Sequence, residues 1–593
     1  MKKLIIVTTA CLLFFSPLFA GNNFSTIRKY QPVVIKGENI TELLGSKPNQ
    51  LFGYAYDAAS NSWRQIPFQV DERRRVDTTV PGPFWQDGDV GGAMVDVPPS
   101  LAKGNPEETM ATHPAEDLLY VGEGNGIYGS LQAEDSDKSF DQDDEICFMV
   151  EDAGDKAPGP EDSWVADTEA KRVEVKVTDP LDNSTGYVYI YVSSKLSFKG
   201  QNSVSYALVP PDVEHAADIE SDYYIMHYSR RWVLDEVRVK SALGGKGVDL
   251  IDQIKFRAYA LTPQNETEEF WSDGPGVCGF SSGKGCSKYV GHKTGPVRAI
   301  RQIQGAASGP TTSYQAIFYN KMLSMQINYR VHSLPNLWYY MDYSPSVSNI
   351  MYYDANNSSV KIDGKQDNVS QGKPSTWSQV SSDEGSLVMW ADVHEFAAAG
   401  TNVIEPYYLD NSGFNDQTGD DGKAYGNHGL HFEDIPDHDN KVAIVSFLNF
   451  YILPPGAADQ GSEFEKYNTT SVTLATNQET RKSPIPSAVK ESDATTPGDF
   501  HLYPAYPNPF QAISGKATLI KFQMQAAQKV EINVYDIKGR LVNTLVRGNR
   551  EVGTHQLEWN GLDSTGKLLP AGTYYLELRT PTRRMTQQMT LIH

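Results

Sequence analysis

The sequence predicts an all-β fold made of several β-sandwich domains, and three observations support this class. The 593 residues include 32 Tyr, together with many Thr and Val, which favour extended strands. The 48 Gly and 34 Pro recur between apolar runs, as tight turns between strands require. Several runs alternate apolar and polar residues with a period of two, whereas helical periodicity is scarce. A chain of this length has room for about three to five domains.

Residues 21–200 predict an N-terminal β-sandwich domain. Its clearest strands are "KRVEVKVTD" and "GYVYIYVSS", in which Val173 and Val175 alternate with Glu174. This alternation places the valines on one face of a strand. The composition of "DPLDNSTG", between the two runs, predicts a turn. A long irregular insertion near 78–145 interrupts the domain.

Residues 201–475 predict a second, larger β domain. Its strand-like runs, such as "GPVRAIRQIQG", "SLVMWADVHE" and "KVAIVSFLNFYIL", are separated by Gly or Pro. We expect one short helical turn in "WADVHEFAAAG", ending at Gly400. Residues 476–499 mix Pro, Ser, Thr and charge without apolar periodicity, so we interpret them as a linker. Residues 500–593 then form a separate C-terminal domain.

The first twenty residues have the pattern of a secretory signal peptide. Lys2 and Lys3 precede the apolar stretch "LIIVTTACLLFF", and "SPLFA" predicts cleavage after Ala20. No later run reaches about 18 apolar residues, so we expect no transmembrane helix in the mature chain. The expected route is Sec export to the periplasm, and the expected location is secreted or on the outer cell surface.

The formal net charge of −22 is unevenly distributed. Residues 500–593 contain 11 Lys and Arg against six Asp and Glu, so the acidic excess lies in the rest of the chain. An acidic surface argues against a nucleic-acid partner, which would require basic patches. It is compatible with binding of divalent cations.

Three cysteines follow the predicted cleavage site. Cys278 and Cys286 flank the glycine-rich "GFSSGKG", and in an exported protein we expect them to form a disulfide. Cys147 lies in the strand-like "EICFMV", where we expect it to be buried as a small apolar side chain.

Four motifs occur in order in the C-terminal domain. They are "YPNPF" at 506–510, "VYDIKGRLV", "WNGLDSTGKLLPAGTYYLEL" and a basic terminal strand. Their alternation and their Gly-containing turns predict a β-sandwich of about 90 residues. Trp559 and Tyr574 are the expected core aromatics.

In this order the four motifs resemble the C-terminal sorting domain of the type IX secretion system. They also resemble the related immunoglobulin-like domain of the flagellar hook-capping family. The resemblance covers only the C-terminal domain, and residues 21–475, which we call the body, carry none. It implies that an outer-membrane translocon recognises this domain, which is then removed or attached to the surface.

An acidic run, "EDSDKSFDQDDEICF", is a candidate Ca²⁺ site. Ca²⁺ takes 6–8 oxygen ligands, and carboxylates at near-alternate positions would supply several of them. The candidate ligands are Asp135, Asp137, Asp141 and Asp143. The run departs from the EF-hand loop, because Phe140 stands where that loop needs glycine. The alternative is a solvated acidic turn.

Three histidines, His428, His431 and His438, lie within eleven residues. With neighbouring carboxylates they could bind Zn²⁺ or another transition metal, or form an acid–base pair. Glycines 426 and 429 predict that the segment is a loop. The alternative is a polar surface loop. Acidic residues upstream could equally bind Ca²⁺: Asp410, Asp416, Asp420 and Asp421.

Two further stretches combine arginine with possible partners. In "INYRVHS", Arg330 and His332 share one strand face, and with Tyr329 they could act on a sugar acid. Arginine would bind the carboxylate while Tyr or His moved a proton. The alternative is a structural pair on a sheet edge. In "IPFQVDERRRVD", we expect the acidic residues, such as Asp71, to pair locally with the arginines that follow.

The sequence carries no HExxH or P-loop motif, and no GxSxG or GxGxxG in the strand–turn–helix context that the corresponding enzymes require, so these enzyme classes are unsupported. Our leading hypothesis is an extracellular protein that binds ligands such as glycans, with Ca²⁺ support. Trp338, Tyr339 and Tyr340 would suit stacking on sugar faces. The first alternative is a polysaccharide lyase or glycosidase, since two carboxylates need only be close in space. The second is a structural or adhesive surface component.

Overall fold

A computed structural model gives the fold. Within the body and the seven residues that follow it, the model describes residues 23–75, 118–121, 138–209, 215–230, 233–261, 266–270, 288–306, 309–330, 334–370, 375–395, 403–415, 423–435 and 443–482. Beyond these it describes residues 500–502, 505, 508, 510–511, 517–524, 527–536, 540–551, 553–580 and 584–592.

The chain forms two compact units, Met1–Ser492 and Asp493–His593. Both are built from sheets in which nearly all described strand pairs are antiparallel, so the predicted all-β, multi-sandwich fold is confirmed. The described residues contain one α-helix, α1 (Gly461–Thr469). The 3₁₀-helices are Arg28–Tyr30, Gly37–Asn39, Thr41–Leu43, Pro48–Gln50, Val150–Asp152 and Ser241–Leu243. No helix in the described part of the chain is long and apolar enough to cross a membrane.

Nine strands belong to the N-terminal part of the first unit. They are β1 (Pro32–Lys36), β2 (Leu51–Asp57), β3 (Ser62–Gln65), β4 (Gln69–Asp71), β5 (Arg73–Arg75), β6 (Leu118–Tyr120), β7 (Glu145–Met149), β8 (Lys171–Thr178) and β9 (Thr185–Val192).

The remaining strands of the first unit follow. They are β10 (Val204–Leu208), β11 (Ala217–Ser221), β12 (Tyr224–Tyr228), β13 (Leu234–Val239), β14 (Ile251–Leu261), β15 (Glu266–Phe270), β16 (Lys288–Thr294), β17 (Ala299–Ala306), β18 (Gly309–Phe318), β19 (Met322–Arg330), β20 (Leu334–Tyr343), β21 (Met351–Asp354), β22 (Val360–Lys361), β23 (Trp377–Ser381), β24 (Ser386–Glu395), β25 (Val403–Asn415), β26 (Lys423–Ile435), β27 (Ala443–Leu453) and β28 (Thr473–Thr480).

The N-terminal sandwich packs a three-stranded sheet, β1-β7-β4, on a five-stranded sheet, β28-β8-β9-β2-β3. As the alternation predicted, Val173, Val175 and Val177 of β8 enter the shared core. The chain turns between β8 and β9 at Asn183, which has a φ of 62°. Strand β28 pairs with β8 along its whole length, so residues 476–480, assigned above to the linker, continue this sheet.

The central sandwich encloses one large core between three sheets. The sheets have the orders β16-β17-β18-β19-β27-β24-β23-β21-β22, β15-β14-β20-β26-β25 and β10-β11-β12-β13. The outer face of the nine-stranded sheet packs against Tyr30, Cys147 and Met149 of the N-terminal part and against Phe464 of α1. Cys147 is free and buried, which confirms that prediction.

One local prediction for this region is wrong and another is only partly tested. The segment "WADVHE" forms the end of strand β24, where it pairs along its length with β27, and the rest of the predicted helical turn, residues 396–400, lies outside the described residues. His428 and His431 lie in strand β26 and not in a loop. Gly429 serves close strand packing, since a Cβ there would lie 2.1 Å from the carbonyl oxygen of Tyr339.

The second unit is a small sandwich with its own core. Its strands are β29 (Phe500–Leu502), β30 (Phe510–Gln511), β31 (Thr518–Met524), β32 (Gln528–Asp536), β33 (Leu541–Arg550), β34 (Gly553–Trp559), β35 (Gly572–Arg579) and β36 (Arg584–Ile592). They form two sheets, β29-β31-β34 and β30-β36-β35-β32-β33. Trp559 and Tyr574 are buried in contact with each other, as predicted.

Candidate functional site

The acidic run is organised by hydrogen bonds to the backbone. Asp144 is fully buried, and its carboxylate accepts the N–H groups of Arg73 (2.8 Å) and Asp141 (3.0 Å). Burial raises the pKa of Asp144 to about 6. Burial, with a contribution from Asp143, raises the pKa of Asp141 to about 7. These contacts account for the turn before β7.

The Ca²⁺ hypothesis for this run stays a prediction. Asp135 and Asp137 lie outside the described residues, whereas Asp141 and Asp143 lie within them. Across the described ranges, no three His, Cys, Asp or Glu side chains are placed to hold a metal ion together.

The structure places His428 and His431 on opposite faces of the same sheet. His428 contacts Tyr343 and Tyr352 of the central core, with ring centroids 5.3 and 6.3 Å away. His431 stacks on Trp338 of the other face, at 4.6 Å and an interplanar angle of 4°. The structure therefore does not bring these two imidazoles together. His438 lies outside the described residues.

His428 is a fully buried, neutral imidazole. Its exposed fraction is 0%, and neither ring nitrogen has a hydrogen-bond partner among the described residues. Burial lowers the pKa of His428 to about 3, because the charged form would lose its hydration. Its buried location suits a core residue better than a metal ligand.

The other predicted site residues are only partly described. Arg330 is the last residue of β19, and His332 lies outside the described residues, as do Cys278 and Cys286. Of the three aromatics expected on a sugar-binding face, Tyr339 is in the core. Trp338 is half-buried on the opposite face, where it stacks on His431.

A buried ion network joins the N-terminal and central sandwiches. Arg298 contacts Asp71 at 2.7 Å and Glu145 at 2.7 Å, and Lys293 contacts Asp71 at 3.0 Å. Arg73 pairs with Glu145 at 2.8 Å, so the pairing is long-range and not local as expected. Burial alone would raise the pKa of Asp71, but Lys293 and Arg298 outweigh it and hold it at about 2.

A second buried arginine lies on the inner side of the nine-stranded sheet. Arg301 has an exposed fraction of 0%, and its guanidinium donates to the hydroxyl oxygen of Tyr206. It also donates to the carbonyl oxygens of His215 (2.6 Å) and Arg230 (3.2 Å). The rings of Tyr228 and Tyr289 lie 5.1 and 5.2 Å from its guanidinium carbon.

Two stacked pairs of rings adjoin this arginine. Tyr206 stacks on His292 at 4.5 Å, and His215 stacks on Tyr289 at 4.3 Å. A 2.6 Å hydrogen bond between the Tyr289 hydroxyl and Nδ1 of His292 links the pairs. Tyr206, His215 and His292 are half-buried, so they separate the buried cation from solvent. We call Tyr206, His215, Tyr289, His292 and Arg301 the Arg301 site.

The Arg301 site combines a guanidinium, phenol hydroxyls and imidazoles, which are the groups that acid–base chemistry on an anion requires. Burial acts to lower the pKa of Arg301, but the phenols of Tyr206 and Tyr289 outweigh it, so the pKa is raised and the cation is maintained. A phenol beside a guanidinium and an imidazole bonded to a second phenol can donate protons or move them. A fixed cation behind them would stabilise negative charge.

The sequence predicts a combination of Arg, Tyr and His at Arg330 and His332, and it does not predict the Arg301 site. Its members come from β10, β16, β17 and the segment before β11, so their spacing along the chain carries no motif. One signal was present: Arg301 interrupts the apolar alternation of "VRAIRQIQG". A fully buried arginine is rare unless it has partners.

The C-terminal unit contains the part of the chain that a known family matches. The model of the FlgD Ig-like domain matches residues 510–583, which confirms the immunoglobulin-like prediction. No curated protein sequence matches the chain.

Two solved structures illustrate the structural similarities. One is PorZ, described as an essential bacterial surface component of the type IX secretion system of Porphyromonas gingivalis. Identity is 11% and the TM-score 0.13, with 68% of this chain and 62% of that chain covered. The other is dimeric latent PorU of Porphyromonas gingivalis, with 11% identity, a TM-score of 0.14, and 68% and 35% coverage. These TM-scores are too low to assign a shared fold.

Proposed function

We propose that this protein is exported through a type IX secretion system and acts at the cell surface or in the medium. The C-terminal unit would be the module that the outer-membrane translocon recognises. The supporting observation is that residues matched by the FlgD Ig-like domain lie in a compact unit with its own hydrophobic core. The four ordered motifs of the sequence analysis supply the type IX part of the proposal.

A secretion experiment tests this function. The full chain and a truncation ending at Ser492, the boundary of the first unit, are expressed in a bacterium with a type IX system. A strain lacking the translocon serves as control. We expect surface or medium localisation only for the full chain in the complete strain, with periplasmic retention otherwise. Equal export of the truncation would contradict the proposal.

For the body we propose binding of an extracellular ligand, with glycans as the first class to test. The supporting observation is the Trp338–His431 stack, a planar aromatic surface on the sheet face opposite the core. Trp338→Ala should weaken binding on a glycan array, whereas Trp377→Phe, elsewhere in the body, should not. An array on which the wild-type protein binds nothing would exclude this ligand class.

A further inference from the structure

The face of the five-stranded sheet β15-β14-β20-β26-β25 that lies opposite the core contains a buried lysine–aspartate pair. Nζ of Lys255, on β14, lies 2.9 Å from Oδ2 of Asp342, on β20, and the two side chains are 0% and 2% exposed. The two strands are hydrogen-bonded neighbours, with Lys255 opposite the buried Tyr340 in their register. A pair so completely removed from water lacks the hydration that keeps both groups charged.

Contacts with the backbone fix the two groups relative to each other. Oδ1 of Asp342 accepts the N–H of Gln253 at 3.2 Å, so Oδ2 is the oxygen turned toward the lysine. Nζ of Lys255 also donates to the carbonyl oxygen of Lys423 at 3.3 Å. Because Cγ of Asp342 is bonded to Oδ2, the lysine nitrogen is held close to the carboxyl carbon, as reaction between the two groups requires.

A third buried polar group lies on the same face. Asn427, on the neighbouring strand β26, is 0% exposed, and neither atom of its amide has a hydrogen-bond partner among the described residues. Met341 lies opposite His428 in the register, and extending this register by one residue places Asn427 beside Asp342. An unpaired buried amide costs stability, so it requires an explanation. At this position its N–H group would stabilise negative charge that develops on the carboxyl oxygen of Asp342.

From these observations we propose that Lys255 and Asp342 condense into an intramolecular amide that joins β14 to β20. In the dry site the ammonium first transfers one proton to the carboxylate along their hydrogen bond, which gives a neutral amine and a neutral carboxylic acid. Nζ then attacks Cγ and the C–N bond forms. A second proton from the nitrogen joins the departing hydroxyl group, the C–O bond breaks, and water leaves. The bond would cross-link positions that are 87 residues apart, which restricts the unfolded chain.

A second lysine–aspartate pair in the body provides an internal comparison. Nζ of Lys293 lies 3.0 Å from Oδ1 of Asp71, but Lys293 is 19% exposed, and Asp71 also contacts Arg298 at 2.7 Å. Burial acts to raise the pKa of Asp71, but Lys293 and Arg298 outweigh it and hold it at about 2. Its carboxylate therefore stays ionised, and an ionised carboxylate is not attacked by an amine. We expect no amide at this pair, although its two atoms are almost as close.

Peptide mapping of the purified full chain by mass spectrometry tests the bond. An amide at Lys255 prevents cleavage by trypsin there, so we expect a branched peptide that joins residues 247–257 to residues 331–361. Its mass should be lower than the sum of the two peptides by one water molecule. Complete cleavage after Lys255, with residues 331–361 recovered as a free peptide, overturns the proposal.

Variants separate the bond from the ion pair. Lys255→Arg keeps a cation beside Asp342, but a guanidinium does not lose its proton, so the branched peptide should be absent. The matched control, Lys293→Arg, should contain it in full yield. Asn427→Leu should reduce its yield at least about tenfold in chains sampled soon after synthesis, and an unchanged yield would overturn the role of Asn427. A branched peptide at Lys293 in the wild type would contradict the assignment, and the wild-type map decides the bond even if Lys255→Arg fails to fold.

Discussion

Arg298 and Arg301 are both buried, lie three residues apart and point to opposite sides of the same sheet. Arg298 contacts two carboxylates, Asp71 and Glu145, which belong to the N-terminal sandwich. The described hydrogen bonds of Arg301 go to a phenol and two carbonyl oxygens. The comparison shows that a buried cation can fasten two sandwiches when acids neutralise it. Arg301 instead holds strand β17 to β10 and to the segment before β11, within the central sandwich.

Removing Arg298 should have the largest effect. Arg298→Met leaves Asp71 and Glu145 buried without their main partner, so we expect a loss of about 3–5 kcal/mol in unfolding free energy. Urea denaturation measures this loss. The control is Arg238→Met, which breaks a half-exposed pair with Glu236 and should cost less than about 1 kcal/mol. Similar losses in both variants would contradict a structural role for Arg298.

The buried His428 should make the protein less stable in acid. The unfolded chain takes up a proton as the pH falls below about 6.5, whereas the folded chain does not until about pH 3. Stability is therefore lost across this window, by about 2 kcal/mol at about pH 5. His428→Leu should remove this part of the pH dependence. When the unfolding free energy of the variant is subtracted from that of the wild type at each pH, the contributions of the other titrating groups cancel.

The control for His428 is Tyr343→Phe, a change to a neighbouring core ring that does not titrate in this range. Unfolding free energies are measured at several pH values for all three proteins. Parallel pH profiles for His428→Leu and the wild type would show that the imidazole is not held neutral in the folded chain.

Tyr206→Phe should have a smaller effect on stability than Arg298→Met. The variant removes one hydrogen bond to a half-buried hydroxyl, which typically costs about 1 kcal/mol. Its urea denaturation, compared with that of Arg298→Met, sharpens the distinction between the two arginines. A loss of 3 kcal/mol or more would place Arg301 and Tyr206 in the structural class, together with Arg298.

The smallest expected effect concerns Ca²⁺ at the acidic run beside Arg73 and Asp144. If the cation binds there, chelation should lower the melting temperature by about 2 °C, and Asp143→Asn should remove this response. Elemental analysis before and after chelation supplies the second measurement. If the protein contains no stoichiometric Ca²⁺, the Ca²⁺ hypothesis is wrong and the acidic run is a turn stabilised by its own hydrogen bonds.

Local patterns predicted the fold where apolar residues recur at alternate positions of a strand or within a short apolar run. The valines of β8 and the buried Cys147 of β7 are examples, and so are Trp559 and Tyr574 in the C-terminal unit. Each of these follows from alternation or from apolar character within a few residues.

Prediction was wrong where pairing with distant strands overrides local signals. Gly429 suggested a loop around the histidines, yet the glycine is needed where β26 approaches Tyr339 of β20. Asp71 suggested pairing with its neighbours, yet its cations are Lys293 and Arg298. The Arg301 site combines residues separated by up to 95 positions, and no local pattern encodes such a combination.

Strand β28 also determines the order in which the chain can fold. It completes the edge of the N-terminal sheet, and its Thr473 contacts Thr178, 295 residues earlier in the chain. A chain that emerges with its N-terminus first must hold β8 as an unpaired edge until residue 480 is free. Unpaired edges recruit other strands, and distant pairings form slowly. Chains truncated before residue 473 should therefore associate with one another. Newly made chains need protection from such association until β28 has been synthesised and pairs with β8.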